Sequence, residues 1–209
     1  TDLPVFVKLT PNISNILYPA RAARSGGADA VSLINTINSI VSIDLDVMAP
    51  TPTVGGKGVH GGYCGPAVRP IALSMVSEIA RDPDTTGMPI SGIGGIGTWR
   101  DAAEFIALGC GSVQVCTAAM RFGFNIIDDM VDGLNNWMDD KGYETLEDFR
   151  GKAVPNVTDW QFLDLNYKTI AAIDQDKCIE CGLCHITCED TSHQAISSSK
   201  DENGKRTYE

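Results

Sequence analysis

Four cysteines crowd into eleven residues near the end of the sequence, Cys178, Cys181, Cys184 and Cys188, spaced C-x2-C-x2-C-x3-C. This is the run with which bacterial ferredoxins wrap thiolates around a [4Fe–4S] cluster. The competing assignment is structural zinc, but zinc knuckles pair cysteines at two separated positions, whereas these four form one tight wrap. In two-cluster ferredoxins the fourth cysteine of a run ligates the other cluster and proline follows it. Here Glu189 follows, and no second run occurs before Glu209. Cys188 therefore either completes a single cluster or serves a second one whose other ligands lie beyond this sequence, and the spacing leaves both open.

A second set of residues could hold an anion. Ile93-Gly94-Gly95-Ile96 follows an apolar run, and Cys116-Thr117 closes the next one, Val113-Gln114-Val115. A lone Gly-Gly is usually a turn. Two such loops on successive strands suit a phosphate, because in (β/α)8 barrels the loops after strands 7 and 8 aim backbone N–H groups and a helix N-terminus at one. If these are strands 7 and 8, the two earlier strands of the sequence are strands 5 and 6. Lys8, in Val5-Phe6-Val7-Lys8-Leu9, then sits at the barrel mouth. It is either a snorkelling edge residue or a cation facing a ligand such as the reduced, anionic ring of a flavin. Asn35 and Thr36 end the following strand; they either cap it or offer amide and hydroxyl bonds to a polar planar ligand.

These residues need a frame. The first 123 residues alternate short β-branched runs with helical stretches, the pattern of βα units on a parallel sheet. Strands are expected at Val5–Leu9, Ala30–Ile34, Pro89–Ser91 and Ser112–Cys116, with helices at Asn15–Ser25, Arg69–Arg81 and Thr98–Leu108. Gly26-Gly27 and Gly109 supply C-terminal caps. Between Thr36 and Pro66 lies a loop of about thirty residues, rich in Gly and Pro, of the length that usually carries function. Residues 125–149 read as closing helices, with Ile127, Leu134 and Trp137 available to the core.

Charge divides the sequence differently. The net charge is −11; residues 1–123 hold 8 basic and 9 acidic side chains, and residues 124–209 hold 8 and 18. No basic footprint for nucleic acid exists. No apolar run approaches the roughly 18 residues of a membrane span, and the first residues do not resemble a signal peptide. The expectation is a soluble, cytoplasmic protein whose clustered cysteines bind metal rather than form disulfides. The acidic C-terminal half either steers a partner or is simply solvated.

Val7-Lys8-Leu9-Thr10-Pro11-Asn12, Ile34-Asn35-Thr36, Gly61-Gly62-Tyr63-Cys64-Gly65-Pro66-Ala67-Val68-Arg69-Pro70, the Gly94-Gly95 loop, Val113-Gln114-Val115-Cys116-Thr117 and the cysteine run occur in this order in the dihydropyrimidine dehydrogenase family, which the sequence resembles over essentially its whole length. That family's flavin-and-cluster subunit is similar to class 1 dihydroorotate dehydrogenases with a ferredoxin module appended. The resemblance implies an FMN site lined by Lys8, Gly65, Ile93, Gly94, Gly95, Cys116 and Thr117, a pyrimidine held by Asn35 and Thr36, and [4Fe–4S] clusters on the four cysteines. It further implies reversible reduction of uracil or thymine, with electrons arriving from a partner subunit that carries FAD and binds NAD(H), in a hetero-oligomer. The family's catalytic cysteine lies on a loop upstream of residue 1, so no catalytic residue is assigned here. Cys64, Cys110, Cys116 and His60 are not substitutes for it.

The expected architecture is α/β: the C-terminal half of an FMN-binding (β/α)8 TIM barrel over residues 1–150, a linker over 151–173 and an incomplete ferredoxin-type 4Fe-4S module over 174–209. Two rival functions stand beside it. One is a dihydroorotate dehydrogenase-like flavoprotein acting on another substrate; the other is an electron-transfer module whose half-barrel only docks a partner.

Overall fold

The computed structural model describes residues 2–167 and 170–209. Thr1, in the expected barrel portion, and Lys168 and Thr169, in the expected linker, lie outside the described residues. The chain divides into two compact units, Thr1–Thr158 and Asp159–Glu209.

The first unit is built on a four-stranded, wholly parallel sheet. Its strands are β1 (Phe6–Lys8), β2 (Ala30–Leu33), β7 (Ile90–Ile93) and β8 (Ser112–Gln114), adjacent in that order. Parallel neighbours need crossovers, and these are α1 (Leu17–Ser25), α2 (Arg69–Arg81) and α3 (Trp99–Ala107). The helices cover one face, where Val31, Leu33, Ile90, Ala20, Val76, Ile79 and Phe105 form a continuous core. Phe105 is fully buried, and a Cβ on Gly92 of β7 would collide with its ring; truncating such a phenylalanine costs about 3–5 kcal/mol.

Side chains alternate across a strand, so the other face carries the complementary set. There Lys8, Ser32, Ser91 and Ser112 stand in register across all four strands. The two outer strands are paired on one side only among the described residues.

The crossover from β2 to β7 is longer than its helix requires. The segment expected as one long loop folds into two antiparallel pairs, β3 (Ile37–Ser39) with β6 (Gly61–Tyr63) and, nested within, β4 (Ser42–Asp44) with β5 (Ala49–Thr51). After β8 come α4 (Thr117–Phe122) and α5 (Ile126–Lys141). Helix α5 docks through Leu134 and Trp137; the Trp137 ring meets Phe149 edge-on at 5.0 Å and Tyr143 at 5.7 Å. Ile127, expected in the core, is 39% exposed. It lies in the first turn of α5, on the rim of an apolar depression against β8 and α4 rather than under a covering layer.

In the second unit α6 (Leu183–Asp190) precedes a hairpin of β9 (Ser198–Lys200) and β10 (Arg206–Tyr208). Tyr208 is 1% exposed and supplies most of the small core. His185 Nδ1 bonds the Ile196 carbonyl at 2.7 Å and ties the helix to the chain before the hairpin.

Candidate functional site

The C-terminal ends of the parallel strands converge on one cavity of about 220 Å³. It is lined by Lys8 from the end of β1, Asn35 and Thr36 after β2, Gly65 before α2, Ile93, Gly94 and Gly95 at the end of β7, and Cys116 and Thr117 at the start of α4. All nine residues assigned from the sequence to cofactor or pyrimidine therefore share one space. Ligand sites in sheets of this kind lie at this end because the βα loops open there.

The glycines have definite tasks. Gly94 and Gly95 have φ of +134° and +75°, conformations that side chains disfavour. A Cβ on Gly95 would come within 2.8 Å of the Gly65 carbonyl and 3.0 Å of the Arg69 amide nitrogen. The two loops thus touch backbone to backbone and leave a trough lined by main chain.

The helix beside this trough is already capped. Asp101 of α3 accepts from the amides of Gly97 at 2.9 Å and Thr98 at 2.8 Å, and the Thr98 hydroxyl accepts from the Asp101 amide in return. Arg69 pairs with the same carboxylate. The N-terminus of α3 is therefore spent on its own Asp101, which shifts the anion-binding expectation to the Gly94–Gly95 loop and Thr117.

A polar network runs from the cavity-lining Gln114 across the sheet. The Gln114 amide donates to Ser32 Oγ at 2.9 Å and Ser91 Oγ at 2.8 Å, and Ser112 Oγ donates to Ser91 Oγ at 2.8 Å. No carboxylate among the described residues pairs with Lys8. Asn35 is held by its own neighbourhood: its amide donates to the Leu9 carbonyl at 3.1 Å and its Oδ1 accepts from the Thr36 amide at 2.8 Å. That bond uses one lone pair of Oδ1, which leaves the two Nδ2 hydrogens and the second lone pair to present to a ligand.

Sequence reasoning had not assigned Ser32, Ser91 or Gln114. The signal was available, since Ser32 and Ser91 are lone polar residues in apolar strands, Gln114 alternates with Val113 and Val115, and all three fall on one side of the sheet. Of the remaining cysteines, Cys64 and Cys116 are exposed and line the cavity. Cys110 is buried, and burial pushes its thiol up to about 12. His60 is exposed and is not among the cavity residues.

The four clustered cysteines lie on α6 and the segment before it. Cys184 and Cys188 are one turn apart on the helix, and Cys178 and Cys181 precede it. Among the described residues no three His, Cys, Asp or Glu side chains converge on one point. The donor set nonetheless suits an iron–sulfur cluster: four thiols in a single wrap, with the Ala195 amide donating to Cys188 Sγ at 3.2 Å, the kind of bond that tunes a cluster sulfur.

A parallel βα sheet with a glycine-edged cavity at its strand ends, followed by a cysteine-rich module, places the chain among α/β proteins with a candidate cofactor cavity and a cluster-type appendage. Residues 1–138 match the dihydroorotate dehydrogenase family, and the chain belongs to it. Residues 171–208 match the 4Fe-4S dicluster domain.

Relatives include the NAD-dependent dihydropyrimidine dehydrogenase subunit PreA of Escherichia coli, 43% identical over 96% of this chain and 49% of its own length. The chloroplastic dihydropyrimidine dehydrogenase (NADP(+)) of Arabidopsis thaliana is 39% identical over 87% of this chain and 43% of its own. The catalytic subunit of dihydroorotate dehydrogenase B (NAD(+)) from Pyrococcus abyssi is 40% identical over 74% and 49%. The chain thus spans about half the length of the curated relatives it matches. No helix among the described residues is long and apolar enough to cross a membrane.

Proposed function

We propose that this chain is part of the FMN- and cluster-bearing subunit of a dihydropyrimidine dehydrogenase, reducing uracil and thymine to their 5,6-dihydro forms or running the reverse reaction. In this reading the four-stranded sheet is the C-terminal half of a (β/α)8 barrel, residues 1–150 form its FMN-binding portion, 151–173 connect, and 174–209 begin the ferredoxin module. A cytoplasmic partner subunit carries FAD and binds NAD(H). The observation that carries the reading is the single cavity that gathers Lys8, Asn35, Thr36, the paired glycines and Thr117 at the strand ends.

The cavity suits a flavin mononucleotide. Its main-chain trough at Gly65 and Gly94–Gly95, with the Thr117 hydroxyl and amide, would take the phosphate, and Ile93 and Cys116 would flank it. Lys8, with no carboxylate partner among the described residues, would balance the negative charge that a reduced isoalloxazine carries. When bound, FMN supplies hydride transfer at N5 and exchanges single electrons with a cluster.

Asn35 offers its Nδ2 hydrogens to a pyrimidine carbonyl, and the Thr36 hydroxyl offers a second contact. That pairing rewards a ring bearing carbonyl oxygens and rejects an apolar one, whose entry would leave the amide unsatisfied. The proton at the adjacent carbon is assigned to a cysteine outside this sequence. Cys178, Cys181, Cys184 and Cys188 would hold iron–sulfur, with Cys188 serving either the same cluster or its neighbour.

Family membership and the archaeal relatives favour a second reading, dihydroorotate as substrate. Against it, the match to the E. coli dihydropyrimidine relative covers 96% of the chain, whereas the match to the P. abyssi protein covers 74%. Turnover of uracil, thymine and dihydroorotate by the full-length protein with its partner subunit separates the two. Reduction of uracil or thymine is expected; turnover of dihydroorotate alone would overturn the proposal. A protein with cluster absorbance and no flavin would favour the electron-transfer rival.

A further inference from the structure

Asn12 lies outside the cavity, exposed, in the loop between β1 and α1. Its carboxamide reaches 24 residues along the chain to the segment bearing the candidate pyrimidine contacts. Nδ2 donates to the Thr36 carbonyl at 3.0 Å, and Oδ1 accepts from the Asn38 amide at 2.8 Å. The carbonyl of one residue and the amide of the next but one face the same edge of an extended strand, where a neighbouring strand would bond them. The other edge of β3 is paired with β6. One side chain therefore stands in for a missing strand.

The clamp is itself held. Thr10 Oγ1 accepts from the Asn12 amide at 3.2 Å and from Nδ2 at 3.1 Å. Its target is held from the opposite side, because a Cβ on Gly62 of β6 would collide with the Thr36 side chain. Asn35 and Thr36 thus sit between a fixed stem, where the Asn35 amide bonds the Leu9 carbonyl, and the Asn12 clamp.

We propose that Asn12 is a positioning residue for pyrimidine recognition: by bonding the backbone on either side of Ile37 it sets where the Asn35 amide and the Thr36 hydroxyl point. This rests on the assignment of Asn35 and Thr36 to the pyrimidine. Asn12 touches neither the phosphate trough nor Lys8, so its loss spares flavin binding.

The test uses full-length, FMN-loaded protein titrated with uracil while flavin absorbance is followed. Asn12→Asp keeps the acceptor for Asn38 and sets a second acceptor against the Thr36 carbonyl; Asn12→Ala removes both bonds. In each, flavin content should equal wild type while the uracil Kd rises about tenfold, as expected when a binding group is displaced by a fraction of an ångström. In turnover the loss should fall on KM, with kcat held within about twofold. Amide exchange at Asn38 should accelerate in Asn12→Ala without any ligand.

An unchanged uracil Kd in either variant would overturn the proposal, as would loss of flavin together with uracil binding in both, which would make Asn12 a support of the whole domain. Asn35→Ala separates this failure from that of the underlying reading. If Asn35→Ala abolishes uracil binding and the Asn12 variants do not weaken it, only the clamp fails. If wild type gives no uracil response and Asn35→Ala is equally silent, the pyrimidine assignment fails and the positioning role with it.

Discussion

At the scale of single residues, environment separates cysteines that composition cannot. Cys110 sits at the base of the Phe105 packing, its thiol driven up to about 12 by burial. Cys64 and Cys116 are exposed at the cavity. Alkylation of the native protein at pH 8, read by mass spectrometry, should label Cys64 and Cys116 and leave Cys110 unmodified until the chain unfolds, because the thiolate is the reacting form. Labelling of Cys110 at a comparable rate would contradict the packing described for β7 and α3. The gathering of Lys8, Asn35, Thr36 and the paired glycines at one set of strand ends was legible in the sequence, because a charge closes one apolar strand, an Asn-Thr pair follows another and adjacent glycines follow a third. Asn12 was not, since its role depends on partners 24 and 26 residues away, and local spacing carries no such information.

Among elements, the best-read are those with the strongest local signals. Helix α2 runs over Arg69–Arg81 as its periodicity and early Pro70 imply, and the capping box of Thr98 and Asp101 opens α3. The nested hairpins between β2 and α2 were read as loop because their strands are three residues long, glycine- and proline-rich, and held by pairing across the segment. Docking of α5 depends on contact at Gly133, where any Cβ would collide with Trp99. Gly133→Ala should therefore lower stability by about 1–3 kcal/mol in denaturant titration despite its better helix propensity; a stabilised variant would mean that α5 does not pack there.

Helix α1 is tied to the end of α2 by a two-pronged ion pair, Arg21 Nη2 to Asp82 Oδ1 at 2.6 Å and Nε to Oδ2 at 3.0 Å. The Arg21 bonds hold the buried Asp82 carboxyl below its usual range. Its contribution is thus full above the unfolded carboxylate value near pH 4 and disappears as pH falls through the lower folded value. Arg21→Met should lower stability at pH 7, and the gap from wild type should close as pH falls below about 4. A gap independent of pH would show that the pair contributes through packing alone.

For the molecule as a whole, the chain divides into two compact units with different contents: Thr1–Thr158 carries the cavity and Asp159–Glu209 the cysteine module. Removing a thiolate from the second should leave the first intact. In full-length protein purified without oxygen, Cys181→Ser should lose iron and the broad visible absorbance of a cluster while retaining FMN; zinc in place of iron in the wild type would contradict the cluster assignment. The order of the four parallel strands was legible from the alternation of apolar runs and helices, whereas closure into a barrel stays an expectation, since it is defined by what meets the edge strands.

The most direct test is an experimental structure of the full-length protein with FMN and uracil bound. The flavin phosphate should lie against Gly94, Gly95 and Thr117, with Lys8 beside the ring and the uracil carbonyls within hydrogen-bond reach of Asn35 and Thr36. A flavin seated away from this cavity, or a pyrimidine that contacts neither Asn35 nor Thr36, would contradict the account.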